Sequence, residues 1–165
     1  MSLSEISGPD RRIFLGFALL AGCGFAPAYG PGGGAAALTD TIRAADPTDK
    51  NAFDLVQRLE ERLGRPETAR FDLAYTITTR AIGVGVTPDG SITRYNLTGA
   101  VDWSLTDAAG TRVAGGTVDS FTSWSATGST VAGLTAEEDA NLRLMRILAD
   151  QIVARLLAVS STLTP

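Results

Sequence analysis

Three runs of alternating apolar and polar residues constrain the fold of this chain more than any other feature. They begin near Phe71, Tyr95 and Thr111, and two loops with turn-forming residues, 88–91 and 107–110, separate them. A period of two is typical of half-buried strands, and short Gly-containing loops join antiparallel neighbours. The pattern predicts a three-stranded antiparallel meander. The alternating apolar residues of its first two strands are Phe71, Leu73, Tyr75, Ile77, Tyr95, Leu97, Val101, Trp103 and Leu105.

The pattern is less regular in which face of the sheet each residue occupies. In the first run the later apolar residues, such as Ile82 and Val84, change parity, so we expect a β-bulge near Arg80-Ala81. The third run extends to about residue 124 and has a middle rich in Gly and Thr. There we expect Val113 and Phe121 to face inward.

A helix is predicted before the meander, after a short strand within residues 36–44. Asp46 is a suitable N-cap, and Pro47 suits the first helical position. Gly64 and Pro66 are typical of a helix end. The helix is amphipathic, and its predicted apolar face consists of Ala52, Phe53, Val56, Leu59 and Leu63.

A second helix is predicted after the meander, beyond an exposed loop at 125–133. Thr135 and Glu138 have the spacing of a capping box, so the helix is expected to begin there and to continue to about Val159. Its apolar stripe is broad, which indicates packing on more than one side. The stripe consists of Leu144, Met145, Leu148, Ile152 and Leu156, and it is widened by Leu142, Ile147, Val153 and Leu157.

The order of these elements predicts the fold class. It is α+β, with two layers, in which two helices pack on one face of a small, mostly antiparallel four-stranded sheet. The opposite face of the sheet carries polar residues and is expected to contact water.

The N-terminal segment predicts an exported lipoprotein. Arg11 and Arg12 precede the apolar stretch Ile13–Ala21, which has the length of a signal peptide and is too short to span a bilayer. The following Gly22-Cys23 resembles a bacterial lipobox, in which cleavage before the cysteine leaves a lipidated Cys23. We therefore expect a signal peptide at 1–22, a lipidated Cys23 with a flexible tether at 23–35, a folded domain at 36–159 and a tail at 160–165.

The export route has two interpretations. Residues 10–15, Asp-Arg-Arg-Ile-Phe-Leu, resemble a twin-arginine signal, which a receptor reads as an address. The same arginines are also typical of the positive n-region of a general secretion signal. The sequence leaves both routes open.

Composition excludes most catalytic chemistry. The chain contains no histidine and one cysteine, so a Ser-His-Asp triad, a Cys-His pair and a histidine metal ligand are impossible. Lys50 is the only lysine. The adjacent carboxylates at 60–61 and 137–139 lie in helical patterns at solvent-facing or capping positions. We therefore predict no enzyme activity, no catalytic residue, no cofactor, no metal and no nucleic-acid partner, with a carboxylate-based hydrolase as a minor alternative.

Several ordered motifs resemble those of a known family. Residues 23–30, Cys-Gly-Phe-Ala-Pro-Ala-Tyr-Gly, are similar to the start of alphaproteobacterial members of the LPS-assembly lipoprotein family LptE. Arg94-Tyr95-Asn96-Leu97, the Ser/Thr-rich stretch 120–130 and residues 134–141, which lead into the last helix, extend the resemblance over nearly the whole chain.

The resemblance implies a function and partners. Members of that family are anchored in the inner leaflet of the outer membrane, plug the β-barrel LptD and assist delivery of lipopolysaccharide to the cell surface. The resemblance thus implies an LptD-type partner, membrane attachment through the lipid anchor, and lipopolysaccharide as a possible ligand. Gly24 after the lipidated cysteine is compatible with outer-membrane sorting.

The arginines of the β region do not form a basic run. Arg70, Arg80, Arg94 and Arg112 are separated in sequence and offset by aspartates, so we assign no residue to lipopolysaccharide binding. The alternative function is an auxiliary lipid-binding lipoprotein of another envelope transporter, because a fold alone does not determine a function.

Overall fold

The computed structural model describes residues 38–126 and 129–163, so the predicted signal peptide, Cys23 and the tether lie outside the described residues. The described chain forms four strands and two helices. In chain order they are β1 (Ile42–Ala44), α1 (Lys50–Leu63), β2 (Phe71–Val86), β3 (Ile92–Asp107), β4 (Arg112–Ser125) and α2 (Thr130–Leu163).

The strands form a single mixed sheet in the order β1-β2-β3-β4. β1 is parallel to β2, with Ile42 opposite Phe71, and the other two pairings are antiparallel. Gly90 and Gly110 adopt φ values of 87° and 79° in the two hairpin loops, a conformation that favours glycine. The predicted meander and the α+β class are confirmed.

Both helices pack on one face of this sheet, which we call the helix-facing side. It presents the odd-numbered residues of β2 and β3 and the even-numbered residues of β4. Its centre is the Val101–Val118 pair, which is fully covered by helix side chains. Thr122 is also buried there, and its hydroxyl donates to the carbonyl of Ala140 in α2 at 3.0 Å. The predicted α2 stripe of Leu144, Met145, Leu148, Ile152 and Leu156 is buried throughout.

The parity change in β2 has a different cause from the predicted bulge near Arg80-Ala81. The β2–β3 register stays regular through this region, and the shifts occur later, around Gly85. Ile82 lies on the face of the sheet away from the helices, and Val84 lies at the first register shift, between Gly83 and Gly85; both side chains are exposed. The apolar residues therefore change parity without a bulge at Arg80-Ala81.

Four residues predicted to lie inward are exposed instead. Phe121 alternates with the buried Val118 and lies on the side of the sheet that no helix among the described residues covers. Val113 lies at the register shift between the pairs Leu105–Ala114 and Thr106–Arg112, next to Phe71 and Leu163 at the end of the sheet. Phe53 on α1 and Ile147 on α2 lie at the margins of their apolar stripes and face solvent. Each of these residues is hydrophobic, but its position around the helix axis or along the strand differs from that of its buried neighbours.

Helix α1 begins later than predicted. Asp49, rather than Asp46, is the N-cap, and its carboxylate accepts a hydrogen bond from the amide of Ala52 at 2.8 Å. Pro47 therefore precedes the helix and does not occupy its first position. The predicted end is confirmed, since Gly64 caps the helix with a φ of 80°.

Helix α2 is longer than predicted at both ends. It begins at Thr130, where the hydroxyl of Ser129 accepts a hydrogen bond from the amide of Ala132 at 3.3 Å. The predicted capping box is wrong, because the Thr135 hydroxyl donates to the carbonyl of Val131 within the helix. The helix ends at Leu163, so it includes most of the predicted tail.

Candidate functional site

One side of the sheet is not covered by either helix in the described part of the chain, and we call it the open face. It presents the even-numbered residues of β2 and β3 and the odd-numbered residues of β4. Most of these side chains are small and polar. Aligned across the three strands, they include Thr76, Thr78, Thr98, Ala100, Asp102, Ser104, Gly115, Thr117, Asp119 and Ser123.

Side-chain hydrogen bonds organise the open face locally. The hydroxyl of Thr117 donates to the carboxylate of Asp102 on the neighbouring strand. The Thr98 hydroxyl donates to the carbonyl of Arg80 at 3.2 Å. Short side chains dominate the centre of this face, and its larger side chains include Arg80, Ile82, Arg94 and Phe121, which is 68% exposed.

The structure does not bring the four arginines of the β region into one patch. Arg70 lies over the ring of Phe71, 5.1 Å from its centroid, at the end of the sheet where β2 begins. Arg112 starts β4 at that same end. Arg80 and Arg94 belong to the opposite half, but Arg80 is opposite Thr98, about 13 Å along the strand from Arg94. The distribution offers no cluster of arginines comparable to a phosphate-binding site.

A cleft that the sequence pattern did not indicate lies between the start of α2 and the end of the sheet at which β2 ends and β3 begins. The rings of Tyr95 and Trp124 stack there, with centroids 5.0 Å apart. The cleft has a volume of about 490 Å³. Leu134 lines it and is 59% exposed, and the neighbouring Val131 is 73% exposed. The register of Tyr95 opposite Trp124 would have indicated the stack, but it requires knowledge of the β3–β4 pairing.

Three of the carboxylates considered for catalysis, Glu60, Glu61 and Asp139, form ion pairs on the surface. Glu61 pairs with Arg58 at 3.1 Å, Asp139 pairs with Arg143 at 2.8 Å, and Glu60 pairs with Arg65. Within residues 38–126 and 129–163, no group of three metal-ligating side chains is arranged to hold an ion.

Two side chains have shifted pKa values with clear physical causes. Burial raises the pKa of the Tyr75 hydroxyl, and the nearby charges of Asp49 and Asp46 raise it further. At the β2–β3 turn, hydrogen bonds from the Thr87 and Ser91 hydroxyls lower the pKa of the Asp89 carboxyl. Both shifts follow from burial, nearby charges and hydrogen bonds within the local structure.

No helix in the described part of the chain has the length and hydrophobicity needed to cross a membrane. Gly22 and Cys23, the predicted cleavage and lipidation site, lie outside the described residues.

Solved structures from several bacteria share this architecture. A candidate lipoprotein from Caulobacter crescentus aligns with a TM-score of 0.68 and 21% identity, covering 80% of this chain and 98% of the other. The rare lipoprotein B from Shewanella oneidensis aligns with a TM-score of 0.58 and 14% identity, covering 76% of this chain and 98% of the other. A minor lipoprotein from Acinetobacter baumannii aligns with a TM-score of 0.54 and 19% identity, covering 72% of this chain and 89% of the other. At these identities the likeness establishes the fold, which is a two-layer α+β fold found in lipoproteins.

A family model identifies the particular family. The model of LptE, described as lipopolysaccharide-assembly, matches residues 39–156, which is most of the folded domain. The chain belongs to the LptE family, and the predicted resemblance is confirmed. A comparison with curated proteins found no match.

Proposed function

We propose that this chain is a lipid-anchored lipoprotein on the periplasmic side of the outer membrane. It assembles with an LptD-type β-barrel, plugs the barrel, and assists the transport of lipopolysaccharide and its insertion at the cell surface. The family match over residues 39–156, with its description of lipopolysaccharide assembly, supports this role.

The proposed anchor is Cys23, after removal of residues 1–22. Gly22-Cys23 follows an apolar signal-length stretch, and the proteins with similar structures are described as lipoproteins. Two or three acyl chains on one residue would bind stably to a membrane, whereas a single chain binds marginally. The tether at 23–35 would then separate the domain from the bilayer.

The open face is the observation that carries the plug proposal. The lumen of an outer-membrane barrel is polar, so a plug needs a surface that can be buried against polar side chains. Thr98, Ala100 and Thr117 give the centre of the open face short side chains, which would let the wall of a barrel approach closely. The role requires no catalytic group, and we propose a non-enzymatic protein.

The alternative of a lipid-carrying protein receives no comparable support. A drug-sized ligand is typically enclosed in about 300–1,000 Å³. Among the described residues, a groove of about 420 Å³ between β1 and α1 and the cleft of about 490 Å³ beside Tyr95 and Trp124 have this volume, but both are open to solvent. The region between α2 and the sheet is filled by side chains such as Leu148 and Val101.

Affinity purification tests the proposal directly. C-terminally tagged full-length protein would be extracted from outer membranes in mild detergent, and its partners would be identified by mass spectrometry. We expect an LptD-type barrel in a fixed ratio. Recovery with inner-membrane transporter components, or without any barrel, would overturn the proposal.

A matched pair of substitutions tests the open face. Ala100 is at the centre of this face, and Ala154 is an exposed residue of α2. Ala100→Arg should reduce recovery of the barrel at least about tenfold, because it inserts a long charged side chain into a contact formed by short ones. Ala154→Arg introduces the same side chain outside the open face and should have a smaller effect. Equal recovery with both variants would exclude the open face as the principal contact.

A further inference from the structure

The two edges of the sheet differ in how their backbone groups are used. At the β4 edge, Gln151 of α2 donates to the carbonyl of Asp119 at 3.1 Å, and Arg143 donates to the carbonyl of Ser123 at 3.4 Å. Asp119 and Ser123 are separated by an even number of residues, so both carbonyls point away from β3. Side chains of α2 therefore cover this edge.

The β2 edge is covered only at its beginning. The amide of Phe71 donates to the carbonyl of Thr41 at 3.0 Å, and the carbonyl of Leu73 accepts from the amide of Ala45 at 2.9 Å. β1 then ends, and the hydroxyl of Tyr75 donates to the carbonyl of Ala45 at 3.2 Å. These bonds show that the odd-numbered residues of β2 direct their backbone groups away from β3.

The remainder of this edge is open among the described residues. By the same parity, Tyr75, Ile77, Thr79 and Ala81 direct both their amides and carbonyls outward, and neither the sheet pairings nor the loop hydrogen bonds give them a backbone partner on that side. We call residues 75–81 of β2 the open edge. Unpaired edges template pairing with another strand, and proteins usually protect them with charges, proline or bulges. Arg80 is the only charged residue of the open edge, and it contains no proline.

We propose that the open edge binds an extended segment of the barrel partner as an additional strand of the sheet. This inference rests on the proposed function and specifies how the partner is held. The pairing would continue the one that β1 already makes on this edge. The chemistry favours a segment of β-branched or small residues, because Thr76, Thr78 and Thr79 are short and exposed, with an acidic residue near Arg80.

Other occupants fit less well. Residues 30–34 of the chain's own N-terminal segment are Gly-Pro-Gly-Gly-Gly, and Gly and Pro are depleted in strands. A second copy paired antiparallel about Thr79 would place Arg80 of each copy on the same face as neighbours. Like charges at such positions are destabilising. An uncharged or acidic partner segment avoids both problems.

Hydrogen–deuterium exchange on the purified complex and on the isolated full-length protein tests the proposal without any substitution. In the complex, the amides of Ile77, Thr79 and Ala81 should exchange at least about tenfold more slowly than in the isolated protein. The amides of Thr76 and Thr78 bond to β3 and should change much less, which provides an internal control.

The outcomes separate this inference from the proposed function. If the barrel co-purifies but the three amides exchange at the same rate, strand addition is wrong and the proposed function stands. If no barrel is recovered, the proposed function fails. Slow exchange in the isolated protein would identify the chain's own N-terminal segment or, where it depends on concentration, a second copy, and either result would overturn the proposal.

A proline substitution gives a second test. Thr79→Pro removes an outward amide without removing a hydrogen bond to β3, as proline is tolerated on edge strands. Thr79→Val keeps the amide and a β-branched side chain. We expect Thr79→Pro to recover about tenfold less barrel than Thr79→Val, given equal melting temperatures by circular dichroism. Equal recovery of barrel by the two folded variants would contradict the proposal.

Discussion

Arg58 of α1 forms a two-point ion pair with Asp150 of α2. Its Nε lies 3.1 Å from Asp150 Oδ1 and its Nη2 lies 3.0 Å from Oδ2. Arg62 lies 3.8 Å from the same carboxylate, and Arg58 also pairs with Glu61. These hydrogen bonds raise the pKa of the Arg58 guanidinium, with Asp150 as the principal cause. The cluster joins the two helices at their outer surface.

We expect this cluster to contribute modestly to stability. Both partners are partly exposed, with 28% of the Arg58 side chain and 42% of the Asp150 side chain accessible. Asp150→Asn should therefore lower the free energy of unfolding by about 1 kcal/mol or less. Urea denaturation of this variant, of Arg58→Gln and of the double variant would give the coupling energy. In 1 M NaCl the Debye length is about 3 Å, so an electrostatic coupling energy should decrease. A coupling energy unchanged at this concentration would contradict an electrostatic origin.

The close approach of α2 to β3 depends on Gly99. A methyl group at this position would lie 2.8 Å from Leu144 Cδ2 and 3.3 Å from Leu148 Cδ1. Both leucines are fully buried, so we expect Gly99→Ala to lower the free energy of unfolding by about 1–3 kcal/mol. Thermal or urea unfolding would measure the difference.

Gly116 on β4 provides the matched control for Gly99. A Cβ there would meet no atom within 4 Å. Gly116→Ala should leave stability nearly unchanged or raise it by about 0.4–1 kcal/mol, because alanine reduces the entropy of the unfolded chain. Equal losses in both glycine variants would show that backbone flexibility, and not helix contact, determines the choice of glycine at residue 99.

The start of α1 gives a test of which aspartate caps it. Asp49→Ala removes the acceptor of the Ala52 amide and should cost about 0.5–2 kcal/mol of stability. Asp46→Ala lies before the helix and should cost less. Chemical denaturation would compare the stability of both variants. A larger loss of stability with Asp46→Ala would identify Asp46, the residue predicted from sequence, as the N-cap.

Local patterns predicted the elements of this fold well. The strands have alternating residues, and each hairpin loop contains a glycine that adopts positive φ, as at Gly90 and Gly110. The stripe from Leu144 to Leu156 is buried because it repeats with the helical period over several turns. Each of these signals depends on residues near one another in sequence, so no knowledge of tertiary contacts was needed.

The side of the sheet that each residue faces was harder to predict where the helices give no cover. Ile82 and Phe121 are hydrophobic, and hydrophobicity alone suggested burial. Both residues lie on the open face, and the sequence pattern does not specify which face of the sheet the helices cover. The open face and the open edge depend on the same information, because the length of β1 relative to β2 decides which backbone groups remain unpaired.

The anchor requires a test in cells, because it depends on processing of the N-terminal segment. Cys23→Ser replaces the thiol that would be acylated and should abolish lipidation, leaving an unprocessed precursor that retains residues 1–22. Metabolic labelling with a fatty acid, together with the intact mass of the purified protein, would detect both changes. Cys23→Ser lies outside residues 39–156, so the variant's folded domain should melt at the wild-type temperature. Normal lipidation and a mature N-terminus in Cys23→Ser would exclude this cysteine as the anchor.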